Sequence, residues 1–338
     1  MIIRNSPFMN AIKYFLLALI LHSIIACGKE SDGIEITDEP ISWRFAVVGD
    51  THVGYNSDTI AEMIPYLLED NIDLILLCGD LVEGGKKTTA EELETEFEMW
   101  QTIFQPLYDK GVGIYPVRGN HEDDADDNIM VWNSIFTGDK ALPQNGPTGE
   151  TNLTYSFQHK NAMFIGLDEY VNIHKVNQSW LDEELASNEQ AHVFVFGHEA
   201  AFKVFHSDCL DDYSTERNTF WNSLTEACVK TYFCGHDHFF DATQIDDGDG
   251  NTENDIYQCL VGGGGAWLMP KYNYNGENSP YTVNAKYHRE EHGYALVEIS
   301  GETESDLNVS ITWKERTVEG ASVEYLATSY VITYEQKP

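Results

Sequence analysis

The segment "YFCGHDHFFD", residues 232–241, ends an apolar run in two histidines spaced two apart behind a glycine. Tyr232, Phe233 and Cys234 read as the close of a buried strand, and Gly235 breaks it. In an extended or turning segment that spacing points His236 and His238 to one side. A lone His-x-His also arises by chance, so its meaning depends on the rest of the chain.

The same pattern recurs. "WRFAVVGDTH" (43–52) is an apolar strand closing on Asp50 and His52, and "IDLILLCGD" (72–80) closes on Asp80. "VGIYPVRGNHE" (112–122) closes on Asn120 and His121, "NAMFIGLDEY" (161–170) is a fourth strand, and "AHVFVFGHEA" (191–200) closes on His198. Residues 60–70, 90–111, 178–187 and 218–228 carry helical spacing between them. Alternating strands and helices predict an α/β architecture, in which ligands gather beyond the carboxyl ends of the strands. Five of the twelve histidines, with Asp50, Asp80 and Asn120, stand at those ends. Oxygen and imidazole donors without clustered thiolates suit Fe, Mn, Zn, Co or Ni. After residue 250, "DIYQCLVGGGGAWL" reads as a strand entering the glycine run Gly262–Gly265, and "GYALVEIS", "DLNVSITWKER" and "TSYVITYEQ" read as strands with alternating faces. They are expected to complete a second sheet of a single catalytic domain over residues 42–335.

These blocks resemble the calcineurin-like metallophosphoesterases. In order they are Asp50-Thr51-His52, Gly79-Asp80, Gly119-Asn120-His121-Glu122, Gly197-His198 and Gly235-His236-Asp237-His238. The resemblance implies a four-layer α/β/β/α sandwich and two metal ions of the Fe, Mn or Zn kind. It assigns Asp50, His52 and His238 to the first metal and Asn120, His198 and His236 to the second. Asp80 bridges both, and His121 is the catalytic histidine that faces substrate without binding metal. The implied reaction is hydrolysis of a small phosphate ester, most simply a monoester, by in-line attack of a metal-bound hydroxide. A phosphodiesterase acting on small diesters or lipid headgroups is the alternative, and a non-catalytic binding lipoprotein a further one. The broader segment resembles the purple acid phosphatases. Where they carry a metal-bound tyrosine this chain has Glu83, so the iron–tyrosinate colour is expected to be absent.

The first 26 residues set a basic start before the apolar run "YFLLALILHSIIA", as a secretory leader does. "IIAC" at Ile24–Cys27 resembles a bacterial lipobox, which implies acylation at Cys27, a tether over 27–41 and an exported, membrane-anchored lipoprotein at the periplasm or cell surface. The formal charge of −36 over 338 residues argues against nucleic acid as a partner. Beyond Cys27 five cysteines remain, an odd number that forms no closed disulfide framework. Cys78 and Cys234 read as buried thiols; a bond among Cys209, Cys228 and Cys259 is left open. Asp247, Asp249 and Asn251 are spaced like an incomplete Ca2+ loop, with Gln258 at the twelfth position, and read equally as a solvated acidic loop. Tyr170, His174, His206 and Trp267 lie in loops near the catalytic blocks, where they either shape specificity or serve the core or surface.

Overall fold

The apolar runs that end at Asp50, Asp80, His198 and His236 become inner strands, largely buried on both faces, whereas the run before Asn120 forms a half-buried sheet edge. The computed structural model describes residues 41–270, 280–301 and 307–335. The leader, Cys27 and the tether as far as residue 40 lie outside the described residues.

The chain opens with β1 (Ile41–Val48), α1 (Ser57–Glu69), β2 (Leu74–Cys78), α2 (Ala90–Asp109) and β3 (Gly113–Val117). Two short helices, α3 (Asn120–Asp123) and α4 (Asn128–Ile135), follow, then the hairpin β4 (Tyr155–His159) and β5 (Ala162–Gly166). The next stretch is α5 (Gln178–Ser187), β6 (His192–Phe196), α6 (Ser214–Glu226) and β7 (Thr231–Cys234). Six strands complete the fold: β8 (Phe240–Asp246), β9 (Ile256–Val261), β10 (Thr282–Arg289), β11 (Gly293–Gly301), β12 (Leu307–Glu319) and β13 (Ser322–Glu335).

These strands form two sheets, ordered β13-β12-β11-β1-β2-β3 and β10-β8-β9-β7-β6-β5-β4. They meet face to face through aromatic side chains. Phe45 lies 5.2 Å from Phe164 and 4.9 Å from Phe194, ring to ring, and Phe240 stacks on Trp313 at 4.5 Å. On one outer side α1 and α2 bury Ile60, Met63, Leu93, Phe97 and Trp100. On the other, α5 and α6 bury Trp180, Leu181, Phe220 and Trp221. The result is the four-layer α/β/β/α sandwich that the sequence blocks imply.

Of the late strands, β9 joins the second sheet as expected, but the last three do not. β11, β12 and β13 extend the first sheet rather than completing a second, because β11 pairs antiparallel with β1 along Ile41–Val47. The second sheet draws instead on β4, β8, β9 and β10, of which β4, β8 and β10 are not apparent in the sequence. The third strand stops at Val117, and Asn120 and His121 begin a helical turn.

Candidate metal centre

β1, β2 and β3 run parallel, as do β5, β6, β7 and β9, so their carboxyl ends collect at one edge of the sandwich. The loops leaving them are strained. Asp50 (φ 59°), His52 (φ 40°), Asp80 (φ 50°) and His236 (φ 69°) all occupy the left-handed region, where non-glycine residues are uncommon. Such outliers persist only where surrounding bonds over-determine them. Here the amide of Asp80 donates to Glu122 at 3.0 Å, and that of His236 to both oxygens of Asp50 at 3.0 and 3.1 Å. Gly119 must lack a side chain, since a Cβ would lie 2.1 Å from Asp80 Oδ1.

Two ligand groups result. Asp50, His52, Asp80 and His238 bring donor atoms within 4.8 Å of one another, and so do Asp80, His198 and His236. Asp80 is common to both. His52 Nε2 and His198 Nε2 each lie 3.4 Å from Asp80 Oδ2, and His238 Nε2 lies 3.4 Å from Asp50 Oδ1. Asn120 Oδ1 stands 3.1 Å from His198 Nε2, on the side of the second group. Three imidazoles are oriented from behind: His198 Nδ1 donates to the Cys78 carbonyl (2.7 Å), His238 Nδ1 to the Trp267 carbonyl (2.9 Å) and His52 Nδ1 to Glu83 Oε2 (3.0 Å). Backing of this kind fixes a histidine tautomer with Nε2 presented to a metal. His121 belongs to neither of these groups but shares a third with His52 and Glu83, their donor atoms also within 4.8 Å of one another, and its ring lies 4.4 Å from that of His52. Its amide donates to Asp80 Oδ1 at 2.9 Å and its Nδ1 to the Glu83 carbonyl.

The electrostatics call for cations. Burial opposes charge on Asp80, yet the charges of His198 and His121 and hydrogen bonds from His198 and His52 hold it well below the usual carboxylate range. Burial likewise opposes charge on His52, but bonds to Asp80 and Glu83 push it up to about 10. His198 is raised as well, against burial, chiefly by the Asp80 charge. The polypeptide thus places buried carboxylates where only positive charge makes them stable. His236 Nε2 is buried without a hydrogen-bond partner, and His52 Nε2 meets only Asp80 Oδ2, at a long 3.4 Å. Orphaned donors facing ionised carboxylates, in a set of oxygen and imidazole ligands, fit two metal ions.

A sequence model of the calcineurin-like phosphoesterases matches residues 44–240, a span that holds both ligand groups. The chain belongs to the calcineurin-like phosphoesterase family. No curated protein matches the sequence. Among solved structures, this phosphoesterase is similar to purple acid phosphatase PPD1 from yellow lupin (Lupinus luteus) seeds. The TM-score is 0.65 at 16% identity, over 89% of this chain and 55% of that one. It is also similar to PhoD, with TM-score 0.61 and 12% identity over 88% of this chain and 70% of that one. GAP50, described as the anchor in the inner membrane complex of Plasmodium, gives TM-score 0.56 and 16% identity over 86% and 90%. The chain spans about half the length of the lupin phosphatase. At these identities the likeness is one of fold.

Several groups that support the phosphoesterase site have no role in the sequence reading. Glu122 accepts from the amides of Asp80, Val82 and Gly119, which ties the second and third loops together. Arg118 grips Asp168 with two bonds, of 2.7 and 3.1 Å, just ahead of Asn120. Glu169 accepts from the amides of His198 and Glu199 and from the Tyr232 hydroxyl; burial, and then the neighbouring Glu199 charge, push its carboxyl up to about 8. Asp237 accepts from the amides of Phe205 and His206 and pairs with His206 Nδ1 at 2.9 Å. A usable signal existed for Glu122, Glu199 and Asp237, each next to a ligand-type histidine within a block. For Arg118–Asp168 and Glu169 only tertiary contact reveals the role.

Of the loop residues noted beside the blocks, Tyr170 is buried near His198, His174 pairs with Glu199 at 2.7 Å, and Trp267 is exposed. In the acidic loop, Asp247 shares a group with Asp246 and Asp255, their oxygens within 4.8 Å of one another. Asp249 and Asn251 instead turn back onto the amides of Asn251 and Glu253. No disulfide joins the five described cysteines, and Cys78, Cys209, Cys234 and Cys259 are buried.

Proposed function

We propose that this protein is a dimetal-dependent phosphomonoesterase. The observation that carries the reading is the pair of ligand groups sharing Asp80 at the converging strand ends, with His121 beside them. Asp50, His52 and His238 would hold one ion and Asn120, His198 and His236 the other. When bound, two such ions neutralise phosphate oxygens and lower the pKa of coordinated water to near neutrality. The polypeptide supplies the rest. Glu122, Glu169 and the Arg118–Asp168 pair hold the loops rigid, so the ligands need no reorganisation when substrate arrives. Because the Glu83 carbonyl takes the Nδ1 proton of His121, Nε2 is left for the substrate; with the ring doubly protonated it donates to the departing alkoxide. We further read the protein as exported and anchored through an acylated Cys27, on the strength of the leader and lipobox-like sequence.

The alternative of a purely anchoring role draws on the fold shared with GAP50. The complete ligand set favours the enzyme, since an anchor has no use for six donor residues, five of them buried, around a doubly shared carboxylate. The test is hydrolysis of 4-nitrophenyl phosphate and bis(4-nitrophenyl) phosphate by the purified protein, with and without chelator. The expected result is faster turnover of the monoester, abolished by chelation and restored by Mn2+ or Zn2+. Turnover that survives complete metal removal would overturn the proposal, and a faster diester would reverse the substrate order.

A further inference from the structure

An exposed tryptophan stands at the rim of the metal centre, and the backbone goes to some length to hold it there. The run Gly262–Gly265 threads between the ligand loops. The amide of Gly264 donates to the Gly49 carbonyl at 3.0 Å, and that of Ala266 to the Asp50 carbonyl at 3.0 Å. The Trp267 carbonyl accepts from His238 Nδ1, and the Met269 amide donates to the His238 carbonyl at 3.1 Å. Residues 264–269 are therefore stitched to two metal-ligand loops on both sides of Trp267. The indole of Trp267 stands edge-on to the His238 ring, 5.5 Å between centroids, while the residue remains 55% exposed. Nothing in the core requires a tryptophan there.

A second exposed aromatic belongs to a loop tied to this segment. Tyr55, 57% exposed, sits in the loop that carries His52. Its neighbour Asn56 donates from Nδ2 to the Gly265 carbonyl at 3.1 Å, which locks that loop to the glycine run. Single exposed apolar side chains are ordinary on protein surfaces. One held edge-on to a ligand histidine, on a segment hydrogen-bonded to two ligand loops, offers a surface suited to stacking, which aromatic rings favour in offset or edge arrangements. Around the same mouth stand two partly exposed acids. Glu83 has a side chain 41% exposed, and Asp208, 61% exposed, lies 3.7 Å from His236 Nε2. They disfavour a leaving group that carries its own negative charge.

We propose that Trp267 forms a subsite for the leaving group of the substrate, and that this group is planar, aromatic and uncharged: a nucleoside or an aryl alcohol. The inference rests on the phosphomonoesterase reading and adds the substrate class. The indole abuts His238, a residue that would hold one of the metals, so a ring on the ester oxygen of a phosphate bound there would come within reach of it. Trp267→Ala removes the ring but keeps the carbonyl that orients His238. Its effect should therefore fall on discrimination between substrates.

The experiment compares kcat/KM for adenosine 5′-monophosphate, 1-naphthyl phosphate and glycerol 2-phosphate in wild type, Trp267→Ala and Trp267→Phe. Wild type should prefer both aromatic esters to glycerol phosphate. Trp267→Ala should cut that preference at least fivefold, mainly through KM, and Trp267→Phe should restore most of it. Loss for adenosine monophosphate alone would identify the nucleoside as the ligand, and loss for naphthyl phosphate alone the aryl group. Equal changes for all three esters, or no aromatic preference in wild type, would overturn the subsite. In parallel, quenching of tryptophan fluorescence by adenosine and 1-naphthol is measured without turnover. It should saturate in wild type and be lost in Trp267→Ala; quenching that is absent from wild type or unchanged in the variant counts against the subsite. If no ester is hydrolysed by metal-loaded wild type, the phosphomonoesterase reading fails, and the quenching still decides whether the aromatic subsite exists.

Discussion

Asp80 is the residue on which both ligand groups depend, and His121 is the one beside them that joins neither. Asp80→Asn keeps the shape and one acceptor oxygen but removes the shared negative charge. Bound metal, measured by elemental analysis, and turnover should fall together; two metals with normal kcat would refute the bridging role. His121→Ala should keep both metals and lose roughly 10²–10⁴ in kcat, the usual range for a general acid. The loss should be larger for alkyl than for nitrophenyl esters, whose leaving group needs little protonation. His192, far from this chemistry, governs a different property. It is buried on β6 with neither ring nitrogen hydrogen-bonded, and burial pushes it down to about 4. A histidine depressed in the folded state costs nothing above its unfolded value of about 6.5. Stability is then lost as pH falls from there towards 4, by roughly 3 kcal/mol in all. In urea melts, His192→Leu should lose correspondingly less stability than wild type between pH 7 and pH 4. Equal losses would mean that His192 takes up its proton in the fold without penalty.

At the scale of elements, the design is a set of parallel strands that stop together, five of which (β1, β2, β3, β6 and β7) hand over through a glycine to a ligand-type residue. The turn after β9 shows how tightly these ends pack. A Cβ on Gly264 would lie 2.4 Å from the Gly49 carbonyl oxygen, backbone that cannot step aside without moving Asp50. Overpacking of this kind costs typically 1–3 kcal/mol. Gly264→Ala should lower Tm, weaken metal retention and reduce turnover together, as read by calorimetry, elemental analysis and nitrophenyl phosphate hydrolysis. A variant with unchanged metal content would show that the glycine run does not brace the centre.

Across the whole molecule the dominant feature is charge. An anionic substrate approaches a body of formal charge −36, with Glu83 and Asp208 exposed at the rim of the site. Salt shortens the reach of that repulsion, from roughly 10 Å at 0.1 M to roughly 3 Å at 1 M. Added NaCl should therefore raise kcat/KM for a dianionic ester from the lowest salt upward, and leave kcat nearly constant once substrate is held against the metals. A kcat/KM that falls over the same series would show that local positive potential outweighs the acidic surface.

The ligand-type residues were legible because their spacing is local. A glycine, an aspartate or histidine and an apolar run within ten residues announce a strand end whatever lies around it, and Asp50, His52, Asp80, Asn120, His198, His236 and His238 do lie together. The α/β class followed from the same alternation. Sheet membership was not local. β11 reads as a strand from its alternating faces, but whether it joins β1 or a second sheet depends on which edge is free once the core has closed. The same holds for Glu169, Arg118 and Asp168, whose roles arise from contacts between segments far apart in sequence. Trp267 lies between the two cases: its place after the glycine run was plain, but only the folded backbone determined that it stands exposed beside His238. Periodicity along the chain specifies what each segment wants to bury; which partner buries it is settled by packing in three dimensions, where sequence distance no longer counts.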